Sequence, residues 1–174
     1  MSERQPVGAK NIDIYGNPPI PWPEVRAALA AQQGPEVPFF LSTVRPDGRL
    51  HSAGIGPTWF DGDLFFSSNL RAQKARNLAA HPGCTLSGRV RGFDVTIEGR
   101  ASRVTDLEIL EQVAARYREG GWPAEVEGDA LTAPYSAPSA GPAPWNLFRM
   151  EFGFVTALKL DDAGGAMLWS FDEN

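Results

Sequence analysis

Histidine and cysteine are scarce in this sequence, which has two histidines and one cysteine among its 174 residues. A single cysteine, Cys84, cannot build an intramolecular disulfide framework. Together with His51 and His81 it does not give the spacing of a metal-binding motif. The sequence therefore predicts no disulfide scaffold and no metal site.

Long apolar runs are also missing. No run in the sequence approaches the roughly 20 residues that are needed to cross a bilayer. The segment from Met1 to Lys10 lacks the apolar region of a secretory signal. These absences, with the single cysteine, lead us to expect a cytoplasmic protein that does not bind membranes.

The chain also lacks an excess of positive charge. Its formal net charge is -5, from 21 acidic and 16 basic residues, which opposes long-range attraction to nucleic acid. It has no Ser/His/Asp elbow and no Walker loop, and Gly54-Ile55-Gly56 lacks the third glycine of a dinucleotide-binding fingerprint. We expect no nucleic-acid partner, and any anion site must depend on local charge.

The pattern that is present is mainly β. Strands at short spacing, with only short helices between them, predict an antiparallel barrel of six to eight mostly antiparallel strands with about three helices packed outside. A doubly wound α/β sheet is the less favoured alternative. The first three strands are expected to form a meander. The predicted strands are Phe39 to Val44, Leu50 to Phe60, Leu64 to Ser68, Cys84 to Gly88, Phe93 to Val104, Trp145 to Leu160 and Ala166 to Phe171.

One domain, residues 1–174, suits this length. Two segments rich in Pro and Gly stand apart from it: residues 1–35, expected to be an N-terminal arm and helix, and residues 120–144, expected to be a loop. The helix in the first segment is predicted to stop at Gly34-Pro35. Its expected buried face comprises Val25, Ala28 and Leu29.

Two further helices are predicted from capping signals and helical periodicity. One is capped by Ser68 or Asn69 and runs through Ala80. The other is capped by Thr105 and ends at Gly120-Gly121. Their expected buried residues are Ala75, Leu78 and Ala79 in the first, and Leu107, Leu110, Val113, Ala114 and Tyr117 in the second.

A candidate phosphate site lies where the third strand meets the second helix. Ser67 and Ser68 precede a helix start, whose free N–H groups and positive potential favour an anion. Arg71 and Lys74 lie three residues apart and can face the same anion. The alternative is an ordinary helix cap beside a solvated charged face, and this segment alone favours that alternative.

The second predicted strand suggests a place for a flat ring. Glycine within a strand often marks the close approach of a ligand or of another backbone, although a bulge or a barrel corner is the structural alternative. His51 can donate a hydrogen bond to a ligand, or be an ordinary strand histidine. The residues of this segment are His51, Ser52, Ala53, Gly54, Ile55, Gly56 and Pro57.

The order of these motifs resembles the pyridoxamine 5'-phosphate oxidase-like superfamily, in its flavin/deazaflavin oxidoreductase branch. The resemblance covers nearly the whole chain. The motifs that carry it are Ser42-Thr43-Val44, Pro46-Asp47-Gly48-Arg49, Leu64-Phe65-Phe66-Ser67-Ser68, Lys74-Ala75-Arg76-Asn77-Leu78, Gly121-Trp122-Pro123 and Ala133-Pro134-Tyr135-Ser136-Ala137-Pro138-Ser139.

The resemblance implies a split β-barrel with the cofactor at a homodimer interface. It implies ring contacts from the backbone of Ser52 to Pro57. It also implies phosphate contacts from Ser67, Ser68, Gln73 and Lys74.

The chain departs from the family pattern at a few positions. Gln73 stands where the family often has a basic residue, and Asp94 lies near a position that often carries an amide. Leu168-Trp169-Ser170 replaces an Arg-Trp-Arg run, so Trp169 can still wall off a ring while the arginines are lost. These changes weaken the expected anion binding.

The expected function is a flavin- or deazaflavin-dependent oxidoreductase that acts on a small organic substrate by hydride transfer. FMN is favoured over the deazaflavin coenzyme F(420), whose acidic tail needs further cations such as Arg45, Arg49, Arg71 and Arg76. The alternative is a non-catalytic binder of FMN, haem or another planar ligand, or a degenerate family member. Neither a catalytic residue nor a substrate is predicted from the sequence.

Overall fold

The computed structural model describes residues 4–31, 39–161 and 164–172. Within these ranges no helix is both long and apolar enough to span a membrane. The helices are α1 (Trp22–Ala30), α2 (Gln73–Ala80) and α3 (Leu107–Glu119). The strands are β1 (Gly8–Asn11), β2 (Phe39–Val44), β3 (Leu50–Ile55), β4 (Thr58–Phe60), β5 (Asp63–Ser68), β6 (Gly83–Val90), β7 (Phe93–Val104), β8 (Glu125–Glu127), β9 (Ala130–Thr132), β10 (Asn146–Lys159) and β11 (Ala166–Ser170).

The main sheet is antiparallel and has nine strands. Its path runs β1-β11-β10-β7-β6-β2-β3, and β5 branches from β10 and pairs with β4. The branch arises on β10, which pairs with β7 along almost its whole length while its first residues also pair with β5. A sheet that branches in this way curls around a core, as the predicted split barrel requires.

Gly99 lies in the middle of the long strand β7, where β7 pairs with β10. A Cβ atom there would lie 2.2 Å from the carbonyl oxygen of Glu151, so only glycine fits. The register between β7 and β10 shifts at the same point, between Phe152 and Phe154. This β-bulge bends β10 and helps to close the barrel.

The apolar side chains form two clusters, and β5 lies between them. Leu64 and Phe66 enter the main cluster, whereas Phe65, one residue away on the other face of the strand, enters a second cluster beneath α3. The main cluster also contains Trp22 and Trp169. Because successive β5 side chains alternate between two cores, the residues at its end also point in opposite directions.

The mainly β fold with three helices is confirmed. The seven strands of five or more residues correspond to the seven predicted strands, and the short strands β1, β4, β8 and β9 add to them. The hairpin of β8 and β9 lies within residues 120–144, where the sequence predicts a loop. The buried face of α1, with Val25, Ala28 and Leu29, is also confirmed, while the predicted stop at Gly34-Pro35 lies outside the described residues.

The prediction of one strand from Leu50 to Phe60, and of a three-stranded meander, is wrong. The segment divides after Ile55, and Pro57 lies in the gap, where its missing N–H cannot continue a ladder. β3 pairs with β2, whereas β4 pairs with β5. Two separate hairpins therefore replace the meander.

Both predicted helix caps are displaced. α2 begins at Gln73 rather than directly after Ser68 or Asn69, because the Asn69 Oδ1 atom accepts the N–H of Arg71 at 2.8 Å and holds a turn before the helix. At α3 the cap is Asp106 instead of Thr105. Two predicted buried residues, Ala79 and Leu107, are exposed.

Candidate functional site

The second helix is fastened to the β2–β3 hairpin by a chain of buried polar groups. The Gln73 Nε2 atom donates to the Asn77 Oδ1 atom at 2.7 Å, and the Asn77 Nδ2 atom donates to the Thr43 hydroxyl at 2.9 Å. That hydroxyl donates to the backbone carbonyl of His51 at 3.3 Å. Since Asn77 is fully buried, this chain fixes the face of α2 that carries Lys74 against the strand that begins with Leu50 and His51.

His51 has an unsatisfied polar atom in this region. Its Nδ1 atom is buried without a hydrogen-bond partner, although the residue as a whole is half-buried. Desolvation lowers the pKa of His51, and the positive charges of Arg45 and Lys74 lower it further. A buried nitrogen without a partner is unfavourable by itself, so the site is suited to a ligand that completes it.

Lys74 is a partly buried cation without a partner. No hydrogen bond or ion pair joins its amine to another of the described residues. Desolvation lowers the pKa of Lys74. Burying an ammonium group without a counter-charge is costly, and an anion bound there removes that cost.

The strand beside these groups presents an open backbone edge. β3 ends the sheet path, so one side of its backbone is left unpaired among the described strands. A Cβ atom built on Gly54 or Gly56 meets nothing within 4 Å, and neither glycine has a positive φ. Internal packing and backbone strain therefore do not require these glycines, and they leave room for a flat group against the strand.

The two serines of the predicted phosphate cup point in opposite directions. Ser67 faces the second apolar cluster, close to Tyr117. Burial raises the pKa of Tyr117, and the Ser67 hydroxyl lowers it by a smaller amount. The Tyr117 hydroxyl nevertheless has no partner with the geometry of a hydrogen bond. Ser68 is buried, and its hydroxyl donates to the carbonyl of Asn69 at 3.3 Å. The side chains of the two serines thus do not converge on one anion.

Two other predicted contacts differ in their freedom to bind. Gln73 is engaged at both ends, because its Oε1 atom also accepts from Arg76 at 2.9 Å. Arg71 is exposed, in the turn that precedes α2. An anion near α2 therefore has Lys74 and Arg71 available as cations, and Gln73 holds the helix together.

Trp169 is part of the core rather than of an open surface. It is 2% exposed, and its ring centroid lies 5.5 Å from that of Trp22. In this conformation neither face of its ring is available to a ligand. Asp94, the other departure from the family pattern, forms an ion pair with Arg89 at 2.7 Å, which lowers the pKa of Asp94.

The structure thus brings together His51, Lys74 and the open edge from Ser52 to Pro57. It adds Arg45, whose charge acts on His51 and which the sequence suggests only for a cofactor tail. The signal was present in the sequence, because Arg45 begins the turn that joins the two strands of the hairpin and lies close to His51 across it.

These residues fit a phosphate and a flat polar ring. Two cations and an imidazole act on one region, and the charges that influence His51 there are both positive. Backbone N–H and C=O groups along a strand edge suit the alternating donors and acceptors of a flavin-type ring. Among the described residues no group of three side chains could hold a metal ion.

Comparisons with known proteins support the fold and the family resemblance. The sequence model of the pyridoxamine 5'-phosphate oxidase family matches residues 22–141. No curated protein matches the chain. The matched range contains every residue of the candidate site described above except Trp169.

Several solved structures share the fold. A conserved hypothetical protein from Mycobacterium tuberculosis is 19% identical with a TM-score of 0.62, over 83% of this chain and 88% of that one. A pyridoxamine 5'-phosphate oxidase-related, FMN-binding protein from Nostoc punctiforme is 18% identical with a TM-score of 0.54, over 78% and 81%. A structure described as an F(420) reductase is 20% identical with a TM-score of 0.51, over 75% and 94%. At these identities the likeness establishes the barrel fold alone.

Proposed function

Because the chain belongs to the pyridoxamine 5'-phosphate oxidase family, we propose that it is an oxidoreductase that uses FMN to act on a small organic substrate. The observation that carries the proposal is that Lys74, a cation without a partner among the described residues, lies beside the open edge of β3. Lys74 and the Nδ1 atom of His51 lack partners, so negative charge bound near them is favourable. The backbone from Ser52 to Pro57 lies beside them.

The bound flavin and the protein would have separate roles. A bound flavin supplies the hydride-transfer chemistry. The chain contributes a charged anchor at Lys74, hydrogen-bonding groups along the edge of β3, and a rigid support made by Asn77 and Thr43. Few catalytic side chains are needed in such a protein, since its task is to bind and to orient.

FMN is preferred to coenzyme F(420) because two of the four arginines considered for the F(420) tail already bind other side chains. The acidic tail of F(420) needs cations beyond those that hold the phosphate. Arg49 is held by Asp47 at 2.9 Å, and Arg76 by Gln73 at 2.9 Å. Only Arg45 and Arg71 remain for a tail, and Arg45 already acts on His51.

A homodimer is part of the proposal. Phe40 and Leu50 are 49% and 78% exposed, and they lie on the hairpin that carries the open edge. A second subunit would cover these apolar side chains and complete the walls of a cleft. Light scattering should give twice the 18.9 kDa of the chain, and Phe40→Asp should reduce that mass, whereas a native monomer at assay concentration contradicts the dimer.

A non-catalytic binder is the second candidate, and the loss of two predicted cofactor contacts favours it. Trp169 lies in the core and Gln73 is engaged within its helix, so both are lost as cofactor contacts in this conformation. Such a protein would hold FMN, haem or another planar ligand in the same cleft without turnover.

Cytoplasmic location also remains a proposal, supported by a single buried thiol.

The test is a side-by-side titration of the purified protein with FMN and with F(420), followed by ligand fluorescence. Preference for FMN at micromolar concentration supports the proposal, and preference for F(420) indicates a deazaflavin-dependent protein. Binding without turnover of electron donors supports the second candidate. Binding of neither cofactor refutes both cofactor assignments.

Two variants of α2 make this titration specific. Lys74→Ala removes the partnerless amine, and the loss of a charge-assisted hydrogen bond should weaken FMN binding about 10- to 100-fold. Arg76→Ala is the matched control, because Arg76 is exposed on the same helix and bonds Gln73. The control should bind FMN within about threefold of the native protein. Equal losses in both variants would argue against a phosphate at Lys74.

A further inference from the structure

Arg4 anchors the N-terminal arm, by which we mean residues 4–19. The arm contains β1, which pairs with β11 at one edge of the main sheet. We propose that the groups around Arg4 form a binding site for alkylguanidinium ions, and that such a ligand opens the arm by taking the place of Arg4. This inference goes beyond the proposed flavin function and does not depend on it.

The guanidinium of Arg4 lies between two carboxylates and two aromatic rings. Its Nη1 atom is 3.4 Å from an oxygen of Asp63, and its Nη2 atom is 3.2 Å from an oxygen of Asp172. Its Cζ atom lies over the ring of Phe152, 4.7 Å from the centroid, and 5.6 Å from the centroid of Phe171. A planar cation fits this set, because each carboxylate takes a different nitrogen while the rings contact the cation. We call these four residues the guanidinium pocket.

The charges around the guanidinium pocket favour a cation. The carboxylate of Glu151 lines the cleft beside it, and the neighbouring cation is Arg149, which binds Asp63. When Arg4 leaves, three carboxylates remain with one guanidinium. Because Asp63 is buried, the loss of a cationic partner there is unfavourable, and a second guanidinium that replaces Arg4 removes that cost.

The pocket can be reached from solvent. The cleft beside it has a volume of about 240 Å³ and is lined by Arg4, Asp63, Arg149 and Glu151. The side chain of Arg4 is 29% exposed and that of Asp172 is 65% exposed. A small guanidinium compound can therefore approach the carboxylates along the side of Arg4.

The arm itself has little to hold it in place. None of residues 4–19 is buried, and Ile20 is the first buried residue that follows them. The N–H of Val7 donates to the carbonyl of Ser170 at 2.8 Å, and the N–H of Ile12 donates to that of Ala166 at 3.0 Å. A segment held by backbone hydrogen bonds, with few apolar contacts, opens at a low free energy. A ligand that binds only where Arg4 has left shifts the arm toward its open form.

Three small probes distinguish the chemistry that the pocket recognises. Ethylguanidinium carries the charge and the planar group of an arginine. Ethylurea has nearly the same shape without the charge, and ethylammonium has the charge without the separate nitrogens that two carboxylates require. We expect ethylguanidinium to bind most tightly and ethylurea least.

The first measurement is a calorimetric titration of Arg4→Ala, in which the pocket is empty. Ethylguanidinium should bind with a millimolar Kd, as expected for so small a ligand. It should bind about tenfold more weakly to the native protein, because Arg4 competes with it. In the Arg4→Ala background, Asp172→Asn should weaken binding further, whereas Asp94→Asn, at an exposed carboxylate that pairs with Arg89, is the matched control.

The second measurement is amide hydrogen exchange in the arm. Arg4→Ala should speed exchange at Val7 and Ile12 by roughly 5- to 30-fold, since an anchor with charge-assisted hydrogen bonds is lost. Ethylguanidinium added to the native protein should act in the same direction, against sodium chloride at equal ionic strength. The amides of the central strand β7 should not change, which separates opening of the arm from general denaturation.

A peptide distinguishes two sources of the guanidinium group, a free compound and an arginine in an extended chain. A synthetic peptide of residues 4–12 can also pair with β11. Tighter binding of this peptide than of ethylguanidinium to Arg4→Ala assigns the site to peptides, and binding that is no tighter assigns it to small compounds.

The outcomes that overturn the proposal are equally distinct. Absence of ethylguanidinium binding to Arg4→Ala overturns the site. Equal affinity for Arg4→Ala and the native protein means that the ligand and Arg4 do not share a pocket, and equal affinity for ethylammonium overturns the selectivity. Binding to the native protein with unchanged exchange at Val7 and Ile12 overturns the opening of the arm. None of these results depends on FMN, so the flavin function stands or fails separately.

Discussion

Two groups of charged side chains in this protein are built in opposite ways. In the ion network, formed by Arg4, Asp63, Arg149 and Asp172, each cation has a carboxylate partner. In the cationic triad of Arg45, His51 and Lys74, no ion pair joins a carboxylate to His51 or Lys74 among the described residues, and Arg45 has only a longer-range attraction to Asp47, which Arg49 binds directly. The charges of the ion network neutralise one another, and Arg4 fixes the N-terminal arm to the barrel. The positive charge of the triad remains available to a bound anion.

The contrast shows why the density of charge is a poor guide to function. The network also lies in a surface cleft, lined by Arg4, Asp63, Arg149 and Glu151. Yet Arg4 stacks over the ring of Phe152 at 4.7 Å and binds both Asp63 and Asp172. Charged groups that pair with one another contribute to stability, whereas Lys74, a cation without a partner among the described residues, marks the candidate site.

The largest effect should come from breaking the ion network at its centre. Asp63 is 5% exposed and accepts from Arg149 Nε at 2.7 Å. Asp63→Ala removes the buried carboxylate that Arg4 and Arg149 share, and leaves each arginine with only one exposed carboxylate, so we expect a loss of about 2–3 kcal/mol in the free energy of unfolding. The loss lies at the low end for buried pairs because the Arg149 side chain is 40% exposed. Urea denaturation measures it.

A matched control for this variant is the exposed ion pair of Asp94 and Arg89. Asp94→Ala should leave the urea midpoint unchanged, because exposed pairs contribute little. FMN affinity should stay near the native value in folded Asp63→Ala. A lower FMN affinity in that variant would instead make the network part of the site and remove the contrast.

The next effect tests the support beneath the triad. Asn77→Ala deletes the buried amide that joins Gln73 to Thr43. We expect a loss of about 1–2 kcal/mol, from one neutral hydrogen-bond network and the partners left unpaired. FMN affinity should fall as well, since α2 carries Lys74. Thermal unfolding and FMN titration check the two effects.

Arg76→Ala, one residue away on the exposed face, is the control for both measurements. It should change neither stability nor affinity to a measurable extent. If Asn77→Ala lowers stability but keeps native FMN affinity, the position of α2 does not determine binding, and the anion must be held elsewhere.

The sequence predicted most of the fold because the strands carry strong local signals. Alternation along β7 and the apolar run of β2 are visible without any tertiary information. The division between β3 and β4 was missed because a strand pattern continues on both sides of Pro57 and obscures the break that the proline itself signals. The cap of α3 was displaced by one residue because Thr105 and Asp106 are both good caps.

The site was harder to predict than the fold. Lys74, His51 and the backbone edge stay predictions as cofactor contacts, and the roles of Ser67 and Ser68 depend on which face of β5 each one occupies. Trp169 was assigned to a ring because a tryptophan near the end of the chain fits the family pattern. Its packing against Trp22 is a long-range contact that local sequence patterns do not carry.

A small expected change in stability at Lys74 gives the sharpest contrast with the ion network. Lys74→Met keeps the aliphatic stem of a partly buried side chain and removes an amine that has no partner in the described chain. Because no ion pair is lost and a desolvated charge is removed, the free energy of unfolding should stay within about 0.5 kcal/mol of the native value. Binding of FMN should still weaken, unlike in Asp63→Ala. A clear loss of stability in Lys74→Met would mean that the amine has a structural partner, and that the triad is a second ion network rather than a site.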